Sequence, residues 1–417
     1  MKQPPPPPFS SYEKLVIALL AITQFTVVLD FMVMSPLGDM LMKSLLITPS
    51  QFGLVVSSYA FSAGISGLLT AGFADKFDRK RLLLFFYIGF ILGTLFCGLA
   101  PTYEALVAAR IFTGIFGGVI GSISMAIITD VFSLEQRGRV MGFIQMGFGA
   151  SQVLGIPISL YLANLWGWQS PFLMIVGFST VVALVVMQTL KPITKHLEIK
   201  TERNAFGHLM HTLSQKHYQT AFVGTALLSI GGFMMMPFGS AFAVNNLKVS
   251  QHQLPIIFMV SGISSLIIMP LIGRMSDKID KFKLFAYASV WMVIMVVIYT
   301  NLPPIPLWTI IIFNVLMMMG IMSRMVPATT LTSAIPKMQD RGAFMSINSS
   351  LQQIAGGFAS FIAGMIVVQK DNFSPLEHYN ILGIVVSAIS LLSIYLVYRI
   401  SQLAKKTAAQ TPKGQAV

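Results

Sequence analysis

Two ionisable residues lie deep inside long apolar runs, where a charge is costly. Asp30 sits in a run that opens near Lys14, and Arg110 lies early in another that begins Glu104-Ala105-Leu106-Val107-Ala108-Ala109. A charged side chain at the centre of a bilayer costs about 2.5–3.5 kcal/mol on insertion scales unless it faces protein or water and finds a partner. At a helical rise of about 1.5 Å per residue, Asp30 falls about 24 Å along its run and Arg110 about 9 Å in from the opposite end of its own. Both positions are in the same half of an apolar layer about 30 Å thick. A buried acid beside a buried base is suited to taking up and releasing a proton. The guanidinium favours the charged carboxylate while burial opposes it, so movement of either group changes proton affinity. The competing reading is a fixed structural ion pair. Buried pairs are weak stabilising devices and intramembrane charges default to function, which favours proton coupling by Asp30 with Arg110 as its tuning partner. Arg324 is a third charge inside an apolar run. It has no acid of its own there and needs a partner from another helix, a water-filled cavity or an anionic ligand.

The elements that must hold these residues are membrane spans. Hydrophobic residues make up 55% of the 417-residue chain and charged residues 10%, against about 25% charged in a soluble domain. A mean hydropathy of +0.75 exceeds what a single buried core explains, because such cores stop growing near about 250–300 residues. Apolar stretches near the required length of about 20 residues occur at 14–40, 51–74, 82–100, 104–131, 140–163, 170–190, 219–245, 253–275, 283–301, 305–334, 343–368 and 379–400. The expected fold class is therefore an all-α polytopic membrane protein with twelve transmembrane helices. Cys97 lies within an apolar run and is the single cysteine, which leaves no disulfide framework and no thiolate metal site. Four of the six histidines, His196, His208, His211 and His217, fall in the segment 191–217; a solvated helix face explains them better than a metal site, and no metal is expected.

Charge distribution sets the orientation. Of the 28 Lys and Arg residues, 23 lie in segments that share one side if the N-terminus is inside, while Lys43, Lys248 and Lys370 occupy the other. This is the positive-inside pattern, and it places both termini in the cytoplasm. It also accounts for the net charge of +13 without nucleic acid as a partner.

The chain repeats itself. Ala71-Gly72-Phe73-Ala74-Asp75-Lys76-Phe77-Asp78-Arg79-Lys80-Arg81 lies between two apolar runs, and Gly273-Arg274-Met275-Ser276-Asp277-Lys278-Ile279-Asp280-Lys281-Phe282-Lys283 recurs 202 residues later. Phe31 to Gly38 echoes Phe233 to Gly239, and Arg137-Gly138 echoes Arg341-Gly342. Three landmarks in matching order indicate a duplicated six-span unit, with cargo bound at the interface of the copies. The organisation read from this is a proline-rich cytoplasmic tail at 1–13, a six-helix bundle at 14–190, a cytoplasmic linker at 191–217, a second, pseudo-symmetric six-helix bundle at 218–400 and a basic cytoplasmic tail at 401–417.

These residues resemble the major facilitator superfamily, and within it the twelve-span drug:proton antiporters. The first repeated loop is similar to the family signature between helices two and three, with Ala71 and Asp78 standing where the signature has glycine. The resemblance implies that Asp75 and Arg79 clamp helix ends, Asp75 near the start of span eleven and Arg79 on Asp130, with Asp277 a diverged counterpart and Arg137 and Arg341 in the same gating set. Arg110 with Gly114, Gly117 and Gly118 resembles the fourth-helix motif whose arginine is implicated in proton transfer. Ser151-Gln152-Val153-Leu154-Gly155-Ile156-Pro157 is similar to the antiporter signature of span five, with proline one residue late and Ser159-Leu160 in place of the trailing glycines. From the residues themselves, Gly155 and Pro157 imply a kinked, closely packed helix.

Candidate cavity residues are Gln24, Met34, Gln145, Gln152, Met235, Asn314, Met318, Arg324 and Gln352. Thioethers make adaptable walls for varied apolar ligands, and the amides could bond cargo or stitch helices together. No constellation of a soluble enzyme and no P-loop is present, so the chain is expected to be no enzyme, to need no cofactor and to draw its energy from an ion gradient, the proton gradient in this reading. The first functional expectation is proton-coupled efflux of small amphipathic, drug-like molecules by alternating access. A second is a carrier of an anionic metabolite or sugar that uses Arg110 and Arg324 directly, and a third is a non-transporting membrane sensor. The expected partners are a small-molecule substrate, protons and the lipid bilayer. The chain is expected to act as a monomer in a bacterial inner membrane.

Overall fold

The computed structural model describes residues 8–70, 76–194, 197, 205–337 and 340–410. Among them the chain is helical, and the one β feature is a single bridge between Val368 and Glu377. The first half comprises α1 (Ser11–Val33), α2 (Gly38–Leu45), α3 (Pro49–Thr70), α4 (Arg79–Leu99), α5 (Tyr103–Val131), α6 (Leu134–Ala150), α7 (Ile156–Trp166) and α8 (Ser170–Thr189). A short helix, α9 (Ala205–Ser214), lies in the linker. The second half comprises α10 (Lys216–Phe233), α11 (Gly239–Ala241), α12 (Leu254–Lys278), α13 (Lys281–Thr300), α14 (Leu307–Ser333), α15 (Arg341–Ile366) and α16 (Tyr379–Gln410). The end of the molecule that carries α9 is called the linker face here, and the other end the opposite face.

Eleven described helices are long and apolar enough to cross a membrane, counting α6 with α7 and α10 with its continuation as one each. The twelfth expected span is α15, 26 residues long. It carries Asn348, Gln352, Gln353 and several serines because it packs along α3, between the halves, and owes less of its surface to lipid. The fold is thus two pseudo-symmetric six-helix bundles.

Two expected spans end early, and proline explains both. The first was expected to run to residue 40, but α1 stops at Val33 and residues 34–37 form a turn around Pro36. The seventh was expected to continue to 245, but α10 stops at Phe233, followed by a 3-10 turn at Met236–Phe238 and a π-turn at Phe242–Asn246. Proline has no N–H to donate and clashes with the preceding turn. These breaks are the paired sequence echoes, and they meet at the opposite face: Ser35 Oγ donates to the Met236 carbonyl, and Ser240 Oγ donates to that of Ser35 at 2.7 Å.

The halves join along two pseudo-equivalent seams. In one, α3 and α15 run antiparallel in contact over most of their length. A Cβ added at Gly53 would lie 2.8 Å from the Ser360 carbonyl and 3.2 Å from Gly364 Cα. Nearer the linker face, one added at Gly64 would lie 2.9 Å from the Ser350 carbonyl, and Leu68 packs into the second half's aromatic cluster. In the other seam, α7 meets the start of α12, where Asn164 Nδ2 donates at 3.1 Å to the carbonyl of Gln251 in the turn before that helix. Contact continues past Gly262 against Gln152 to Gly149 against Leu266. Beyond that point the helices part. Cβ atoms added at Gly138, Gly142 and Gly273 would meet no heavy atom within 4 Å.

Candidate functional site

Glycines bring the helices of the first half close enough to form a buried charged site. Gly118 lets α5 approach α3, since a Cβ there would sit 2.6 Å from the Ala63 carbonyl. Close backbone approach of this kind is how small residues hold helices together in membranes. It sets Arg110 of α5 beside Tyr59 of α3, with the guanidinium 4.4 Å from the ring centroid. Arg110 Nη1 donates to Asp30 Oδ2 at 2.8 Å, and both side chains are fully buried. Thr94 of α4 donates from Oγ1 to Asp30 Oδ1 at 3.1 Å. The carboxylate therefore accepts one charge-assisted and one neutral hydrogen bond, an arrangement stronger than a neutral pair. Arg110 Nε and Nη2 have no hydrogen-bond partner among the described residues. Four helices contribute to this site, so a change in their packing acts directly on the pair.

The pair lies beside the interface of the halves. Phe31, next to Asp30 in the chain, packs on Tyr59 at 5.5 Å between ring centroids and on Phe233 of the second half at 6.2 Å. Phe31 and Phe233 line a void of about 10 Å³, room for roughly one water. Met34, Ser35, Met236, Gln353 and Gly356 are also in its walls. No charged side chain is among its lining residues.

The other candidate cavity residues are spread more widely. Met34 lines the void and is buried, and Met235 is half-buried beside Met236. Gln24 is half-buried and faces Gly121, Gln145 is exposed, and Gln152 packs against Gly262. Asn314 accepts a hydrogen bond from Ser261 Oγ at 2.6 Å, while Met318 and Gln352 are half-buried. Arg324 is buried away from the void. Its Nη2 donates to Ser393 Oγ at 2.8 Å and its Nη1 to Ser390 Oγ at 3.2 Å, both on α16, with the guanidinium 5.3 Å from the Phe285 ring centroid. Serine hydroxyls and a ring face take the place of the acid that the sequence lacks near it.

At Ser151–Gly155 the fifth span makes a π-turn directly before Pro157. Gly155 admits α1 there, because an added Cβ would lie 2.6 Å from Leu29. Proline and a π-turn are both recognised causes of helix kinks.

At the linker face, Arg79 Nε bonds Asp130 Oδ2 at 2.9 Å, with the arginine almost fully buried. Arg137 donates to the Phe132 and Thr129 carbonyls at 3.2 and 2.8 Å and so caps the end of α5. Arg341 is exposed at the start of α15. Asp75 and the side chain of Asp277 lie outside the described residues. Asp78 and Asp280, also 202 residues apart, cap α4 and α13 in the same way, accepting from Lys80 and Lys283 backbone N–H groups at 3.0 and 3.1 Å. The backbone bond from Lys283 holds the Asp280 carboxyl below its ordinary range.

Sequence reading missed Thr94 and Tyr59, since a threonine or tyrosine in an apolar span carries no distinguishing signal. It also missed Asp39. That carboxylate is buried at the opposite face and is bonded by Lys43 of its own helix and by Asn245 and Gln251 of the second half. The sequence reading put it at the very end of the expected first span, 14–40, and drew no partner for it.

Comparison with known proteins adds a family. A sequence model described as the Major Facilitator Superfamily matches residues 20–360 and 221–416. The uncharacterized MFS-type transporter YceJ of Bacillus subtilis (strain 168) is 22% identical over 395 residues, covering 92% of this chain and 95% of its own length. Multidrug resistance protein 3 of the same organism is 29% identical over 152 residues, 36% of this chain and 30% of its own. Among solved structures, a bacterial homolog of the human lysosomal transporter Spinster, in an inward-facing and unoccupied conformation, superposes with a TM-score of 0.77 at 15% identity, covering 96% of this chain and 99% of its own.

Proposed function

Since the chain belongs to the major facilitator superfamily and is a membrane transporter, we propose that it exports small amphipathic molecules in exchange for protons. The observation that carries this reading is the buried Asp30–Arg110 pair, set one residue from Phe31 at the interface of the halves. Asp30 is the proton-carrying carboxylate and Arg110 competes with the proton for it. Opening the interface moves α3 and α5 relative to α1, which alters the Arg110 contact and hence the proton affinity of Asp30. Cargo is held between the halves against Phe31, Phe233, Met34 and Met236, a wall of rings and thioethers that adapts to varied apolar shapes.

The positive-inside distribution supports reading the linker face as cytoplasmic. In this reading the chain is closed at the outer face and parted on the cytoplasmic side along one seam. Arg79 and Asp130 steady the cytoplasmic ends of α4 and α5. The anion-carrier alternative draws no support from the geometry, because Arg110 is engaged by Asp30 and Arg324 by α16, away from the void.

The test is flux in proteoliposomes with an imposed pH gradient and cationic, neutral and anionic amphiphiles. Counterflow of protons with cationic or neutral compounds supports the proposal. Flux that responds to anions alone, or that ignores the pH gradient, overturns it.

A further inference from the structure

We infer that Phe31 and Tyr59 are positioning residues, which carry the state of the interface between the halves to Arg110 and so to Asp30. Cargo and proton then act on each other without touching. The inference deepens the proposed transport reading and rests on it for its purpose, but its measurement needs no transport.

Four contacts run without a gap from the second half to the carboxylate. Phe233, at the end of α10, meets Phe31 of α1 edge to face, with ring centroids 6.2 Å apart. Phe31 rests on Tyr59 of α3 at 5.5 Å. The Tyr59 ring centroid lies 4.4 Å from the Arg110 guanidinium, and Arg110 Nη1 donates to Asp30 Oδ2 at 2.8 Å. Both ends of this chain are seated. Gly356 of α15 leaves room for Phe233, since an added Cβ would lie 3.4 Å from its ring. One and two turns beyond Arg110, Gly114 and Gly117 lie against Tyr59: added Cβ atoms would stand 2.5 Å from its carbonyl oxygen and 2.8 Å from its Oη. A shift of Tyr59 therefore bears directly on the helix that holds Arg110.

The charged pair is closed off from the void that faces it. No charged side chain is in the walls of that void, and Asp30 and Arg110 are fully buried. Cargo seated there meets Phe31 and not the carboxylate. Packed side chains with two discrete arrangements are a means of coupling distant sites, and a ring contact is either made or parted. While Phe31 is backed, by Phe233 or by cargo, it presses Tyr59 on the guanidinium, and Arg110 stays on Asp30 in place of a proton. Phe31 and Phe233 lie at the opposite-face ends of α1 and α10. Opening that face without cargo parts them, slackens Tyr59 and lets Asp30 take its proton. Parting at the linker face leaves them packed. Cargo and proton thus exclude each other, as exchange requires. Arg110 is the charged group facing Asp30 among the described residues. Tyr59 and Cys97, the other titratable side chains beside the pair, are a phenol and a thiol, uncharged at neutral pH.

Infrared difference spectra of the full chain in liposomes, taken as pH is varied, read the protonated Asp30 from its carboxyl C=O stretch. Loss of the band in Asp30→Asn assigns it. A nearby guanidinium weakens proton binding by a carboxylate about ten- to a thousandfold, so partial loss of that hold should appear as about a tenfold gain. Phe233→Leu and Phe31→Leu should each give this gain, although Phe233 belongs to the other half. Tyr59→Leu should do the same, while Tyr59→Phe, which keeps the ring, should match wild type. Adding Phe233→Leu to Tyr59→Leu should give no further gain, because both act along one path. Phe358→Leu removes another ring contact between α3 and the second half, Phe61 with Phe358 at 4.9 Å, and should leave proton affinity unchanged. Phe233 is half-buried, so its leucine variant decides the matter even where Tyr59→Leu does not fold. An unmoved affinity in Phe233→Leu, full additivity with Tyr59→Leu, or an equal effect of Phe358→Leu overturns the inference. The spectra need neither cargo nor flux, so absence of proton-coupled exchange sinks the transport reading and leaves this result standing.

Discussion

Asp30 has two jobs in the reading above, countercharge and proton carrier, and substitution separates them. Asp30→Asn should let cargo equilibrate across the membrane but abolish accumulation driven by a pH gradient; pH-driven accumulation persisting in that variant removes Asp30 from the mechanism. The same change strands Arg110 without its anion, and breaking a buried pair costs about 3–5 kcal/mol. The double variant Asp30→Asn/Arg110→Gln should therefore melt higher than the single one, as measured by thermal unfolding in detergent. At the linker face, Asp280 caps α13, and Asp280→Ala should cost about 1 kcal/mol. Because its folded carboxyl is held below the ordinary range, that stabilisation is present above the ordinary carboxylate pKa and fades as pH falls through the lowered one. The difference between wild type and variant should thus shrink in acid. Asp30 and Arg110 were legible in the sequence because a charge in an apolar run is conspicuous. Asp39 was not, because an acid at the end of the expected first span, 14–40, looks like one at the membrane edge until residues 245 and 251 are folded onto it.

Helices were read with more success than their interruptions. Hydropathy located the spans because each must present apolar surface over its whole length. It did not separate α1 from α2 or reveal the break after α10, since Met, Leu and Phe continue through both prolines and keep the run apolar. It read α15 as the apolar run 343–368 although that helix carries Asn348, Gln352 and Gln353. Close packing at this scale yields a test. Gly53→Ala should disrupt the α3–α15 seam, where an added Cβ would stand 2.8 Å from the Ser360 carbonyl oxygen and 3.2 Å from the Gly364 Cα. Gly142→Ala should be tolerated, with unchanged melting temperature, because the space around it is open. Equal effects of the two substitutions would contradict the seam geometry.

Over the whole molecule, a duplicated sequence has produced two seams that differ. The α3–α15 seam is packed toward both faces, whereas α6 and α12 part beyond Gly149 and Leu266. Continuing the antiparallel register set by Asn164 with Gln251 and by Gly149 with Leu266 brings Gly142 opposite Gly273. A disulfide requires Cα atoms about 4.4–6.8 Å apart. The pair Gly142→Cys/Gly273→Cys should stay reduced while the seam is parted and cross-link once alternating access closes it. Oxidation should then stop transport and reduction restore it, as followed by flux in proteoliposomes. Rapid cross-linking with no loss of transport would show that these helices do not separate during the cycle.

By itself the sequence determined the solvent of this protein, the count and order of its long helices, their duplication and the one acid–base couple in the apolar interior. Each of these follows from the cost of placing a residue in hydrocarbon, which acts locally along the chain. Only the tertiary structure decided that Arg324 rests on serines, that the two proline breaks bond each other and that Asp39 is shut between the halves. Those outcomes depend on which side chains meet across more than two hundred residues, and transfer energies of single segments carry no record of such meetings.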